Sequence, residues 1–272
     1  MTAASLFSLL TWQSRHHILL TNSYARPLNE RGHLITVGIS TKRIMPAALL
    51  LLITACNAAL VPAVALQYSY DAASVAASWA GFLILLALIG LLAILLARPG
   101  LRQILSSAGH SITLGMILGL LWVVEISINN FVAPSLPARD IIDNIFWAII
   151  GLSILVFACV SAQRADRIRA GVEVGAWSGL ASGAVACCMA LSLIVFGMGA
   201  ITRDPLNVAE WATRGPESGA PTMASYFAYQ TFAGAFLHLI VLGGLMGVLL
   251  GGLGGAMGKA IKLASRPVRR LR

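Results

Sequence analysis

Apolar runs of bilayer-crossing length recur six times along this chain, all but one of them uncharged, and they decide what it can fold into. Lipid offers no partner to a backbone N–H or C=O, so a spanning segment closes its own hydrogen bonds as a helix of about 20 residues. The runs cover residues 44–66, 77–97, 111–133, 145–162, 174–201 and 223–258. The last two exceed the minimum and must tilt, kink or project past the lipid. Hydrophobic residues make up 58% of the chain and charged ones 11%, against about 45–50% and about 25% in soluble domains. A soluble fold of this composition would have almost no polar surface. The expected class is therefore all-α: a polytopic membrane helical bundle of six transmembrane helices.

The charges orient it. Lys and Arg accumulate in cytoplasmic loops. Of the 19 here, only Arg139, Arg203 and Arg214 fall on one side of the bundle. Arg15, Arg26, Arg31, Lys42 and Arg43 precede the first run, Arg98 and Arg102 follow the second, and Arg164, Arg167 and Arg169 follow the fourth. Lys259, Lys262, Arg266, Arg269, Arg270 and Arg272 close the chain. Both termini are thus expected in the cytoplasm, which an odd number of spans would not permit. Trp79, Trp147 and Trp211 then sit near the outer boundary, where indole rings prefer the interface.

Three parts follow: a cytoplasmic N-terminal segment, 1–43, interfacial or partly disordered; the transmembrane domain, 44–258; and a basic cytoplasmic tail, 259–272, suited to anionic lipid headgroups. The expected location is a cell membrane of bacterial inner-membrane type, with the lipid bilayer as first partner. The net charge of +9 does not imply nucleic acid, because the basic residues flank apolar runs and form no basic soluble domain. The outer stretch 202–222 is rich in Pro and Gly and reads as a loop.

A rival reading of the first run rests on Ile53-Thr54-Ala55-Cys56, which has the look of a lipidation site, and on Ala63-Val64-Ala65, which looks like a cleavage site. The basic pair lies far into the chain and the apolar run continues past Cys56, so an uncleaved helix is the expectation. Cys56, Cys159, Cys187 and Cys188 all lie in apolar runs, with no C-x-x-C pair and no His at ligand spacing. They read as packing residues, and neither a metal nor a cofactor is expected.

Small residues four apart let helices approach closely in lipid. Gly243, Gly247, Gly251 and Gly255 form one such row, Gly175, Gly179 and Gly183 another, and Gly115 and Gly119 a third. The rows leave two placements open, an internal seam or a contact with a second copy or another membrane partner.

Glu125 is the anomaly, a carboxylate inside the third run. It lies 15 residues beyond His110, about 22 Å up a helix and so in the outer half of the bilayer. Asn129 is one turn further on the same face, and Trp122 nearly one turn before. Asn57 on the first run reaches almost the same depth. His238 falls near the outer rim and meets Glu125 only if the sixth helix tilts or extends inward. A buried carboxylate is costly, so such residues face the bundle interior or water and mark ion or substrate sites by default.

Three functions compete on these residues. A small-solute or ion transport component would use Glu125, Asn129, Asn57, Trp122 and His238 as an outward-facing polar site. A non-catalytic assembly or scaffold protein would use the glycine rows to join subunits. An intramembrane enzyme ranks last: H-E-x-x-H, G-x-S-x-G and paired intramembrane aspartates are absent from the sequence, and no catalytic residue is assigned.

Overall fold

A computed structural model describes residues 41–132 and 135–265. The expectations for residues 1–40 and 266–272 lie outside the described residues. Helix α1 covers Thr41–Tyr68, α2 Ala72–Ala97, α3 Pro99–Phe131, α4 Leu136–Ala165 and α5 Ile168–Ile201. A short helix, α6, covers Pro205–Arg214. The last crossing is composite: α7, Met223–Phe236, runs into a π-helical segment, Leu237–Leu245, and then into α8, Met246–Ala264. Six helices are long and apolar enough to cross a membrane: Ile44–Tyr68, Ala72–Ala97, Pro99–Phe131, Pro137–Ala165, Ile168–Ile201 and Met223–Ala264. The chain is an all-α, multi-pass membrane protein.

Short caps explain the tight turns. Asp71 accepts a hydrogen bond from Ser74 N–H while Ser74 Oγ takes the Asp71 N–H, a reciprocal cap that starts α2. Arg98 ends α2 and begins α3 in one residue, with Pro99 at the first helical position, where a missing N–H costs nothing. Asp166 closes α4 in the left-handed region, at φ 55°. Connections this short make successive helices antiparallel neighbours.

Helix α5 is the axis of the bundle. Half of its spanning window is buried, against 22–33% in the other five, and it packs against α1, α3, α4, α7, the π segment and α8. Its residues explain why. Gly171, Gly175, Gly179, Gly183, Ala181, Ala184 and Ala186 let these six elements approach one helix. Helix α1 answers with a buried stripe at three- and four-residue spacing, Leu50, Thr54, Asn57, Val61 and Val64. On the outside, Leu83, Leu152 and Phe196 are each at least 60% exposed. In a bilayer these side chains meet lipid.

The glycine rows face one another within the chain. An added Cβ on Gly171 would stand 2.6 Å from Gly255 Cα, one on Gly175 2.6 Å from Gly251 Cα, and one on Gly179 2.9 Å from Gly247 Cα. Gly183 meets His238 and Gly243 in the same way. Gly115 and Gly119 of α3 meet Ser178, Ala181 and Val185 of α5. A further contact that the rows did not announce joins Gly254 and Gly258 of α8 to Leu155 and Cys159 of α4.

Three expectations are corrected. The outer stretch 202–222 is not only loop, since α6 forms there: Asp204 caps the Leu206 N–H and Pro205 opens the helix. The fourth helix begins nine residues before the apolar run, because Ser135 caps it and Pro137 sits in its first turn. That extension brings Asp140, Asp143 and Asn144 into the helix. Likewise the last helix does not stop at 258 but continues to Ala264, and Lys259 pairs with Asp166 at 2.5 Å.

Candidate functional site

Helix α3 buries Trp122 and Glu125, with the partly exposed Asn129 one turn beyond Glu125. Glu125 is 6% exposed and Trp122 3%. The Asn129 amide nitrogen donates to Glu125 Oε1 and also to Asp143 Oδ1 of α4. Two carboxyl groups from different spans are thus bridged by one carboxamide. Asn129 Oδ1, on the other side of the same amide, is buried with no hydrogen-bond partner among the described residues.

Aromatic rings line the inner side of this cluster. Trp122 meets Trp147 of α4 edge to face, with centroids 5.3 Å apart, and meets His238 of the π segment at 4.8 Å. His238 Nδ1–H donates to Gly234 O at 2.8 Å, which fixes the ring and leaves Nε2 free of that bond. Below the rings, Leu118, Ile150, Ile154 and Ala186 form a separate apolar cluster with Trp122. Above them, an open cleft of about 520 Å³ is lined by Asp140, Asp143, Asn144 and Trp147. The four recur at the three- and four-residue spacing of one helix face.

The sequence candidates therefore divide. Trp122, Glu125 and Asn129 stand together, and His238 joins them through Trp122; no hydrogen bond links it to Glu125 among the described residues. Asn57 belongs elsewhere: its Nδ2 donates to Ala184 O of α5 at 2.9 Å, and its Oδ1 has no partner among the described residues. It ties α1 to α5. Asp143 and Trp147 were not among the candidates, yet both touch the cluster. Their signal is the Ser135-x-Pro137 helix start, which places Asp143 two turns inside α4 and not in a loop.

Chemically, the cluster joins two acids, one amide and two indoles around a mouth with no Lys or Arg among its lining residues. Carboxyl groups and indole faces are groups to which a proton or a cation can bind. Among the described residues no group of three or more His, Cys, Asp and Glu is placed to hold a metal. Comparison with family models, with curated proteins and with solved structures gives no match. Fold and composition define an integral membrane protein with six spans.

Proposed function

We propose that this protein is a membrane-embedded transport component for a small cation or proton, with Glu125, Asn129 and Asp143 as its binding group and Trp122 and Trp147 as walls. The observation that carries the reading is the single amide shared by two carboxyl groups. Two negative charges this close, in a slab poor in water, repel strongly, and a proton or a cation between them relieves the repulsion. Asp143, which shares the amide with Glu125, also lines the open cleft with Asp140, Asn144 and Trp147, and the apolar cluster around Trp122 lies on the other side, an arrangement that fits a carrier closed at one side. The sequence contains no nucleotide-binding loop, so the reading is of an unpowered carrier or a membrane subunit.

The rival, an assembly protein joined through its glycine rows, draws less support because those rows pack against each other inside one chain. A thermal titration of the purified protein in detergent separates the two. Sodium, potassium, lithium and choline chlorides are added at constant ionic strength and several pH values. At least one cation is expected to raise the unfolding temperature saturably, since a ligand at about 100 times its Kd stabilises by about 2.7 kcal/mol. Asp143→Asn and Glu125→Gln should each abolish the rise. A protein indifferent to all four salts and to pH, or variants that respond like the parent, would sink the reading.

A further inference from the structure

Helix α4 is held in two different ways along its length. Its inner half is clamped to α8 by backbone approach, where Gly254 meets Leu155 and Gly258 meets Cys159. Its middle is buried through Ile150 and Ile154. Its outer end is tied largely by polar groups. Asp143 is bridged to α3 by Asn129, and Arg139, one turn earlier, reaches across to the start of α6. There Arg139 Nη2 pairs with Asp204 Oδ2, and Nη1 donates to Asn207 Oδ1 at 3.3 Å.

The receiving side is built for this contact. Asp204 keeps its other oxygen on the Leu206 N–H, so one carboxylate both caps α6 and holds Arg139. Asn207 is 5% exposed and spends its amide on Ile201 O at 2.9 Å, which aims its carbonyl oxygen at the guanidinium. Farther along α6, Glu210 accepts from Tyr226 Oη at 3.0 Å, and Trp211 packs on the same ring at 5.6 Å. Helix α6 is thereby fixed to α7, and Arg139 is the point at which it grips α4. The pair is half-buried, with side chains 17% and 15% exposed, while Arg139 Nε has no partner among the described residues. The grip is strong in charge but incomplete in hydrogen bonding.

We infer that Arg139, held by Asp204 and Asn207, is the outer latch of the site: while it is engaged, α4 lies against α3 and buries Glu125, and when it releases, α4 swings outward about its glycine-clamped inner half. Polar ties exchange readily for water at the membrane surface, whereas the backbone contacts at the inner half have no such substitute. The latch makes Arg139 a positioning residue, acting through Asp143, which stands one turn away on the same helix. This inference rests on the cleft being the entrance to the proposed site. Its test reads accessibility alone, so it fails or stands separately from cation binding.

The test uses the full chain with Cys56, Cys159, Cys187 and Cys188 replaced, carrying Glu125→Cys, in intact cells exposed to a membrane-impermeant thiol reagent. Asp204→Asn can keep its one oxygen on the Leu206 N–H while turning an amide NH2 toward Arg139, so it breaks the ion pair and spares the cap, the mildest break. It should speed labelling by about tenfold, as expected when the closed state loses a half-buried ion pair. Arg139→Gln should do at least as much, with Arg139→Lys between it and the parent. A chain carrying Thr54→Cys in place of Glu125→Cys, at a fully buried site on α1, should stay at its slow rate in every background. Unchanged labelling in both Asp204→Asn and Arg139→Gln, in intact and in permeabilised cells alike, overturns the latch. So does an equal rise at Thr54→Cys, which would mean general loosening, or an order among the Arg139 variants that does not follow charge. Should Arg139→Gln fail to reach the membrane, Asp204→Asn decides.

Discussion

Gly175 sits where α5 meets α8, and an added Cβ there would come within 2.6 Å of the Gly251 Cα. Backbone cannot step aside as a side chain does, so Gly175→Ala must part the two helices. The expected loss is about 1–3 kcal/mol, the usual cost of overpacking. Gly90 is the control, for a Cβ there meets nothing within 4 Å. Gly90→Ala should be neutral or gain up to about 1 kcal/mol from helix propensity. Thermal unfolding of both variants in one detergent checks the pair, and equal effects would refute the seam. Both glycines look alike in the sequence apart from the spacing of their neighbours. That spacing was legible, because a four-residue period needs only one helix to read. Glu125 and Asn129 were legible for the same reason. Asp143 was not, because its place depends on which span lies beside α3, and no local pattern carries that. Asn57 shows the limit from the other side. Its depth matched that of Glu125, but depth without azimuth did not reveal that it faces Ala184.

At the scale of elements, the apolar runs located all six crossings but not their ends. Helices α3, α4 and α8 continue past the apolar residues because caps, prolines and ion pairs, not hydropathy, decide where a helix stops once it leaves the lipid. The π segment was invisible in advance. Its outer neighbour α7 is tied to α6 through Tyr226, and its inner neighbour α8 is held in register by glycine contacts and Lys259. The π segment thus lies between two separately anchored stretches of one crossing, and π turns occur mostly as such short insertions inside α-helices. The start of α2 offers an element-level test. The Ser74 hydroxyl, and after it the Ser74 backbone N–H, hold the Asp71 carboxyl below its ordinary value of 3.8. A carboxyl lowered on folding contributes stability that is fully present above its unfolded value and is lost as pH falls through the folded one. Asp71→Asn keeps the capping oxygen without the charge. The parent should therefore unfold at a higher temperature than Asp71→Asn at pH 7, and the gap should close as the pH drops below about 4. A gap that is constant with pH would mean that the charged cap adds nothing.

For the molecule as a whole, the decisive quantity is which end of the bundle faces out, because the same cleft is an entrance from one side and an exit from the other. The six crossings put the turns at Asp71, at Ser135 and at α6 on one end, and Arg98 and Asp166 on the other. Arg98, Arg102, Arg164, Arg167, Arg169, Lys259 and Lys262 all gather at the second end, while the first holds Arg139, Arg203 and Arg214. All three of the latter are engaged locally: Arg139 pairs with Asp204, Arg203 donates to Gly199 O at 2.7 Å, and Arg214 pairs with Glu210 at 3.6 Å. Positive charge retained on the cytoplasmic side orients helices during insertion, so the first end is expected outside. In a chain without its own cysteines, Ser218→Cys in the outer turn should react with an impermeant thiol reagent in intact cells. Ala165→Cys at the opposite end should react only after permeabilisation. Both positions are exposed and neither carries a charge, so the substitutions leave the orienting signal untouched. Neutralising Arg164, Arg167 and Arg169 together should then blur the pattern, with each site labelled in a fraction of the molecules. The reverse pattern in the parent, Ala165→Cys open and Ser218→Cys protected, would turn the Glu125–Asp143 cleft toward the cytoplasm. The carboxyl pair would keep its chemistry, but it would then load from inside the cell, and the Arg139 latch would guard release and not entry.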